Sequence, residues 1–363
     1  MSESLPVAPS ARGRVFTPQE LLASRERVEP LIANGVRCHG GFDTAGHYFS
    51  PRTLHRQPAI AAWQAQLAQD GHALVDIDRA LLPPQYPSED QSILLLREGI
   101  ALPIVRTVTV ISIVEGFGAI IRDVRVPDLE ALVVEPIAGT ALAHLDQGLF
   151  EAHARDEAGH KDEGGHKQMW EAARDLAFDN PKIPGDVLMR IMGRRGRSGA
   201  RERAFPQIDP TLERMVASMA QVYVIEVFAE RVFEWGKAVL GNEDVSAHPR
   251  EAAEMVGFIQ SDEAPHVEYL RTALSELSAR TIRTVDGGTL PGRRIVHGFL
   301  HGILDQMTKT RPEEQRGETG DALDDALSGH PSADSIRQQF EGLARPWTPP
   351  ARTGFERETD RKS

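Results

Sequence analysis

Ser261-Asp262-Glu263-Ala264-Pro265-His266 sets an acid and an imidazole into an otherwise apolar helical stripe. Val256, Ile259, Glu263, His266, Leu270 and Leu274 recur at helical spacing along Pro249 to Leu277. Glu263 and His266 are three residues apart and so share one face, and the stripe makes that face the buried one. A carboxylate buried without a partner is strongly unfavourable, and a bound cation is one of the few ways to offset it. Pro265 lacks a backbone N–H and should kink the helix at this point.

A second periodic segment, Ala138 to Phe178, carries the pattern twice, as Asp156-Glu157-Ala158-Gly159-His160 and Asp162-Glu163-Gly164-Gly165-His166. Six residues turn a helix by about 240°, so a straight helix cannot aim both pairs inward. The Leu142, Leu145, Leu149 stripe continues through Asp156, His160, Glu163, His166 and Trp170, whereas the Glu157 stripe leads to Lys161, Gly164, Gln168 and Glu171, which want water. Periodicity thus favours Glu163 and His166 as ligands, with His160 one turn earlier as a third histidine ligand or a supporting partner. Glu157 stays open as the alternative. Its block matches the Glu263 block more closely by letter, and the double glycine can bend the helix.

Two further segments offer carboxylates. In Thr211 to Leu240, Glu226 follows Met215, Met219 and Val222 at helical spacing, and Glu230 is the alternative one turn on. Glu115 lies in the apolar run Val108 to Ile121, within a segment Ile104 to Arg122 whose β-branched residues would also suit a strand. A fifth helical segment, Gly292 to Met307, is expected to pack outside these four. One Glu-x-x-His pair is a weak signal, usually a surface acid beside a satisfied histidine. Two such pairs, each on the core stripe of a long helix, are much less accidental, and four long amphipathic segments argue for an all-α helical bundle.

Bulk composition narrows the class. The chain has 363 residues, 40% of them apolar, and a net charge of −12, which disfavours a nucleic-acid partner. A lone cysteine, Cys38, excludes an internal disulfide framework and a cysteine-ligated iron–sulfur cluster. Met1 to Arg14 holds no apolar run of signal-peptide type, and Ala101 to Ile121 is interrupted by Pro103, Arg106 and Glu115. That segment therefore reads as buried rather than membrane-spanning, and the expected address is the cytoplasm. Residues 1–100 read as an irregular extension with helical pieces that packs on the bundle, including a capped start at Thr17-Pro18-Gln19-Glu20. Residues 101–307 form the bundle, and 308–363 a partly disordered polar tail with a short helix at Ser335 to Leu343.

Glu115, Glu163-x-x-His166, Glu226 and Glu263-x-x-His266 together resemble the ferritin-like di-iron carboxylate superfamily. It includes bacterial multicomponent monooxygenases, aldehyde-deformylating oxygenases, p-aminobenzoate N-oxygenase and the ribonucleotide reductase small subunit. The resemblance spans about Ile104 to Leu277 and implies a ferritin-like four-helix bundle. It implies two iron ions, with manganese possible chemically, bridged by the two Glu-x-x-His glutamates, with the histidines as terminal ligands and Glu115 and Glu226 as terminal carboxylates. The gap from Glu115 to Glu163 is longer than is usual in the family. Trp170 stands four residues after His166, where the ribonucleotide reductase subunit carries its radical tyrosine, so a tyrosyl-radical role is disfavoured. Tyr223, one turn before Glu226, reads as core packing, with a redox-active role as the alternative.

The implied function is a monooxygenase or oxidase that activates dioxygen to oxidise a small organic substrate, with no catalytic residues beyond the metal ligands. The chain has no Gly-rich dinucleotide fingerprint, so electrons would come from a separate reductase or ferredoxin. Neither a nucleic acid nor a membrane is an expected partner, and a homodimer is. The alternative is a ferritin-like storage protein without substrate oxidation.

Overall fold

The structure is a computed structural model and describes residues 14–183, 185 and 202–355. Residues 1–13 of the expected extension and 356–363 of the expected tail lie outside the described residues. The fold is mostly helical.

The N-terminal region opens with the short helix α1 (Pro18–Leu21), capped as its sequence requires: the Thr17 hydroxyl accepts from Glu20 N, and Glu20 Oε2 accepts from Thr17 N at 2.8 Å. A small antiparallel sheet follows where an irregular extension was expected. Its order is β1 (Glu29–Ala33), β2 (Val36–Phe42), β3 (Tyr48–Phe49). Helices α2 (Arg56–Gln69) and α3 (Glu89–Arg97) lead into the helical body.

The β-branched segment resolves as a helix, α4 (Leu102–Gly118), with Pro103 in its first turn, where a missing N–H is harmless. With the 3₁₀ turn that follows, Leu102–Asp123 is long and apolar enough to cross a membrane by length and composition alone. Here it packs against the helices of the next segment through Ile104, Val105 and Val108, while much of its remaining surface lines a cavity. Leu102, Val114 and Ile120 are exposed, so the expectation of a wholly buried segment holds for one face only.

The segment Ala138 to Phe178 is not one helix. After a short α5 (Leu129–Leu132) and a π turn at Leu145–Leu149, α6 (Phe150–Ala158) stops at Gly159, whose φ is 82°. A Cβ there would stand 2.4 Å from Glu163 O, so only glycine fits. Residues 160–164 form a tight turn in which His160 N donates to Glu163 O and Glu163 N donates to His160 O. The turn is tied to β2 by His39 N donating to Gly164 O and Gly164 N donating to Arg37 O. Helix α7 (His166–Ala177) then starts afresh.

Helix α8 (Pro210–Leu240) begins at an Asp209 cap that accepts from Thr211 N and Leu212 N. The fourth segment breaks where Pro265 predicts: α9 (Pro249–Asp262) and α10 (Ala264–Ser278) meet at Glu263. A β4–β5 hairpin (Thr281–Arg283, Thr289–Pro291) leads to α11 (Gly292–Asp305), which packs on α8 and α10 as a fifth element. Beyond residue 308 the chain forms α12 (Arg311–Leu327) and α13 (Ala333–Gly342). The described part of the expected tail is thus largely helical, anchored through Leu323, Leu327, Ile336 and Phe340.

Candidate metal centre

α4, α6, α7, α8 and the α9–α10 junction each aim acids or imidazoles at one buried point. Two groups of ligating atoms, each within 4.8 Å of one another, share Glu157 and His266: one adds His153 and Glu226, the other His166 and Glu263. Glu115 closes the cluster from α4. Its Oε2 lies 3.9 Å from His166 Nδ1, and its Oε1 accepts from Trp170 Nε1 at 3.2 Å.

The break after α6 explains how these residues meet. Glu157 occupies the last turn of α6, and the loop brings His166 back so that its Nδ1 is 3.2 Å from Glu157 Oε1. Because α6 does not continue, the stripe through His160, Glu163 and His166 does not exist as a helical face. Glu163 lies outside the cluster, 20% exposed and paired with Arg27 and Arg37. His160 is confined to the same turn. The preference for Glu163 over Glu157, and His160 as a ligand, are therefore corrected by the positive-φ stop at Gly159. Glu230 is also outside, 30% exposed and paired with Arg79. Glu115, His166, Glu226, Glu263 and His266 do come together, with Glu157. His153 was missed, although it precedes Glu157 by one turn and continues the Leu145, Leu149 stripe.

Hydrogen bonds fix the imidazoles. Asp156 accepts from Arg52 Nε at 2.5 Å and Arg56 Nη2 at 2.8 Å, so it is a carboxylate and an acceptor. Its Oδ2 lies 2.9 Å from His266 Nε2, which must therefore carry the proton. The unprotonated Nδ1 of His266 then faces Glu263 Oε2 at 2.8 Å and Glu157 Oε1 at 3.1 Å. Three acceptors cannot crowd together unless protons or a cation lie between them. Arg52 Nη2 donates to His39 Nδ1 at 3.1 Å, so His39 Nε2 donates to Asp262 Oδ2 at 3.0 Å, which also accepts from Tyr48 OH at 2.8 Å. Asp262 is thereby held beside His166 by residues of the N-terminal sheet, 3.7 Å from His166 Nε2. Tyr269 OH sits 3.2 Å from His153 Nδ1, which leaves His153 Nε2 aimed at Glu226 Oε1, 3.3 Å away.

The electrostatics show the same strain. Burial pushes Glu157 and Glu263 well above the usual carboxylate range and Glu115 up to about 7. Burial also opposes charge on Glu226, but His153 outweighs it and holds that group at about 2. For Asp156, Arg52 and Arg56 outweigh burial and keep it well below its ordinary value. Burial, reinforced by His153, drops His266 to about 3, in keeping with a neutral ring. His153 Nε2, His166 Nε2, Asp262 Oδ1 and Glu263 Oε1 are buried without a hydrogen-bond partner among the described residues.

Counting charge decides what fits. Six carboxylates (Glu115, Asp156, Glu157, Glu226, Asp262, Glu263) face two guanidiniums (Arg52, Arg56); Glu157, Glu263 and His166 hold protons well above their ordinary values, and cations taking the place of those protons would meet up to four negative charges. The cluster could hold a metal ion.

A cavity of about 1750 Å³ opens onto the cluster, with Glu115, Glu157 and Glu226 in its wall and Ile111, Val222, Ile225 and Phe299 around them. Comparison of the chain with protein families, curated proteins and solved structures gives no match.

Proposed function

We propose that this chain is a cytoplasmic non-haem di-metal oxidoreductase of the ferritin-like carboxylate type, with iron or manganese in the buried cluster, acting on a small organic substrate. The observation that carries this reading is the convergence of six carboxylates and three imidazoles on one buried point against only two guanidiniums; with all six acids ionised, two divalent ions would neutralise the four charges left over. His153, Glu226, Glu157 and His266 would hold one ion, and His166, Glu263 and Glu157, with Glu115 beside them, the other. Bound there, two such ions would supply dioxygen binding and electron transfer to it.

The rest is the protein's own work. Asp156 orients His266, as hydrogen-bonding partners of metal-binding histidines generally do, and Asp262, held by His39 and Tyr48, stands 3.7 Å from His166 Nε2. The apolar walls of α4, α8 and α11 leave room for a substrate beside the cluster. That cavity favours substrate oxidation over metal storage. Electrons would come from a separate reductase or ferredoxin, because the chain offers no cysteine cluster of its own.

The test is to load the protein anaerobically with Fe(II) and mix it with dioxygen, following bound iron, oxygen uptake and the visible spectrum. Two irons per chain with a transient absorption and limited oxygen uptake support the proposal. Progressive oxidation of many irons per chain would replace it with storage, and absence of bound metal would remove the redox reading altogether.

A further inference from the structure

The cavity carries information about its occupant beyond its contact with the carboxylates. Basic residues line it, and most are already neutralised: Arg203 by Glu213 at 2.6 Å, Arg231 by Glu234 at 3.0 Å, Arg311 by Glu314 at 3.6 Å, and Arg345 by Asp90 at 3.4 Å. Arg214 and Arg316 are exposed to water. Arg106 differs. It is half-buried in the apolar helix α4, lines the cavity, and has neither an ion pair nor a hydrogen bond among the described residues. A guanidinium partly withdrawn from water without an anion is unfavourable, and its planar fork matches a carboxylate.

We propose that the cavity binds an apolar organic acid, with its carboxylate on Arg106 and its apolar body running along α4 and α8 toward Glu115. The site of binding stands on the cavity alone; only the identity of the reacting end rests on the di-metal reading above. Nine residues separate Arg106 from Glu115, about 13.5 Å along the axis and half a turn around it. The two therefore border the cavity-facing strip of α4 from opposite edges. An extended chain advances about 1.2 Å per bond, so the axial separation alone takes about eleven bonds, and the half turn around the helix makes that a minimum for a ligand that touches both. Val110 and Val114 on the same face of α4, with Phe228 and Val232 of α8, give the cavity apolar wall for the body of such a ligand. At about 1750 Å³ the cavity also admits branched or ring-bearing acids, since it exceeds the 300–1,000 Å³ of ordinary ligand sites.

The experiment is calorimetric titration of the full chain, metal-loaded and metal-free, with dodecanoate, dodecan-1-ol and dodecyltrimethylammonium. Dodecanoate should bind at least tenfold more tightly than the alcohol, and the cation more weakly than either. R106Q should lower dodecanoate affinity tenfold or more and leave the alcohol unchanged, while R106K restores part of the loss. Equal binding of the three head groups by the unaltered chain, or undiminished dodecanoate affinity in R106Q, would overturn the proposal. The head-group series on the unaltered chain decides the matter even if a variant folds poorly. Metal content measured on the same samples separates the two claims: bound metal without head-group selectivity sinks this inference alone, and selectivity without bound metal sinks the di-metal reading alone.

Discussion

Asp156 Oδ2 stands 2.9 Å from His266 Nε2, and that contact decides which nitrogen of the ring a cation would meet. With Arg52 and Arg56 donating to the same carboxylate, Asp156 can only accept, so the ring turns its bare Nδ1 toward Glu157 and Glu263. D156N breaks this arrangement in two ways. The amide can present its NH₂ to a guanidinium or to the ring, and two buried arginines lose their counter-charge. Metal affinity should fall about 10- to 100-fold, and stability by about 3–5 kcal/mol. Metal titration and denaturant unfolding read the two effects separately; unchanged metal affinity would show that Asp156 does not set the ring.

Gly118 permits Glu157 to reach the cluster. A Cβ at Gly118 would lie 2.6 Å from Glu157 Cγ, and 2.9 Å from its Cδ. By helix propensity alone G118A should stabilise the chain by about 0.5–1 kcal/mol. The close approach predicts that the variant folds yet binds metal at least tenfold more weakly, because the Glu157 side chain must move. Intact metal binding with raised stability would mean that Glu157 is free to shift without consequence.

Away from the cluster, Glu276 accepts from Ala141 N and Leu142 N, both at 3.0 Å, and fixes the start of the turn that leads into α6. Burial nevertheless pushes its carboxyl from 4.5 up to about 7. The folded chain therefore holds this proton more tightly than the unfolded chain does. Its stabilising effect is complete below pH 4.5 and is lost as pH rises through 7. Between those limits wild type should lose up to about 3 kcal/mol relative to E276Q. Denaturant midpoints for both proteins at several pH values check this, and parallel curves would refute it.

Much of the helical body was legible because buried helices leave a period of 3.6 in their apolar residues. That signal located α4, α8, the α9–α10 pair and α11, and it put Glu115, Glu226, Glu263 and His266 on inward stripes. It failed between Glu157 and His166, where one glycine at positive φ ends α6 and an unperiodic turn replaces the helix; extrapolating a stripe across Gly159 selected Glu163 and His160. His153 went unnoticed because Phe150, not a glutamate, stands three residues before it, so it completes no Glu-x-x-His pair, although Glu157 four residues on was the available clue. The N-terminal sheet was missed for a different reason. β2 reads Val36-Arg37-Cys38-His39-Gly40-Gly41-Phe42, with no apolar alternation and two glycines, and its role is to present His39 to Asp262. Such a contact spans 223 residues and leaves no local pattern. The tail helix α12 is mostly polar, buries only Leu323 and Leu327, and so shows little periodicity.

The proposal that cations occupy the cluster is most directly tested by metal content after anaerobic loading with Fe(II) and desalting. The account predicts two ions per chain for wild type, two for E163Q, whose carboxylate pairs with Arg27 and Arg37 at the surface, and fewer than one for E157Q, whose carboxylate belongs to both groups of ligands. Wild type without bound metal, or E157Q still holding two ions, would contradict it.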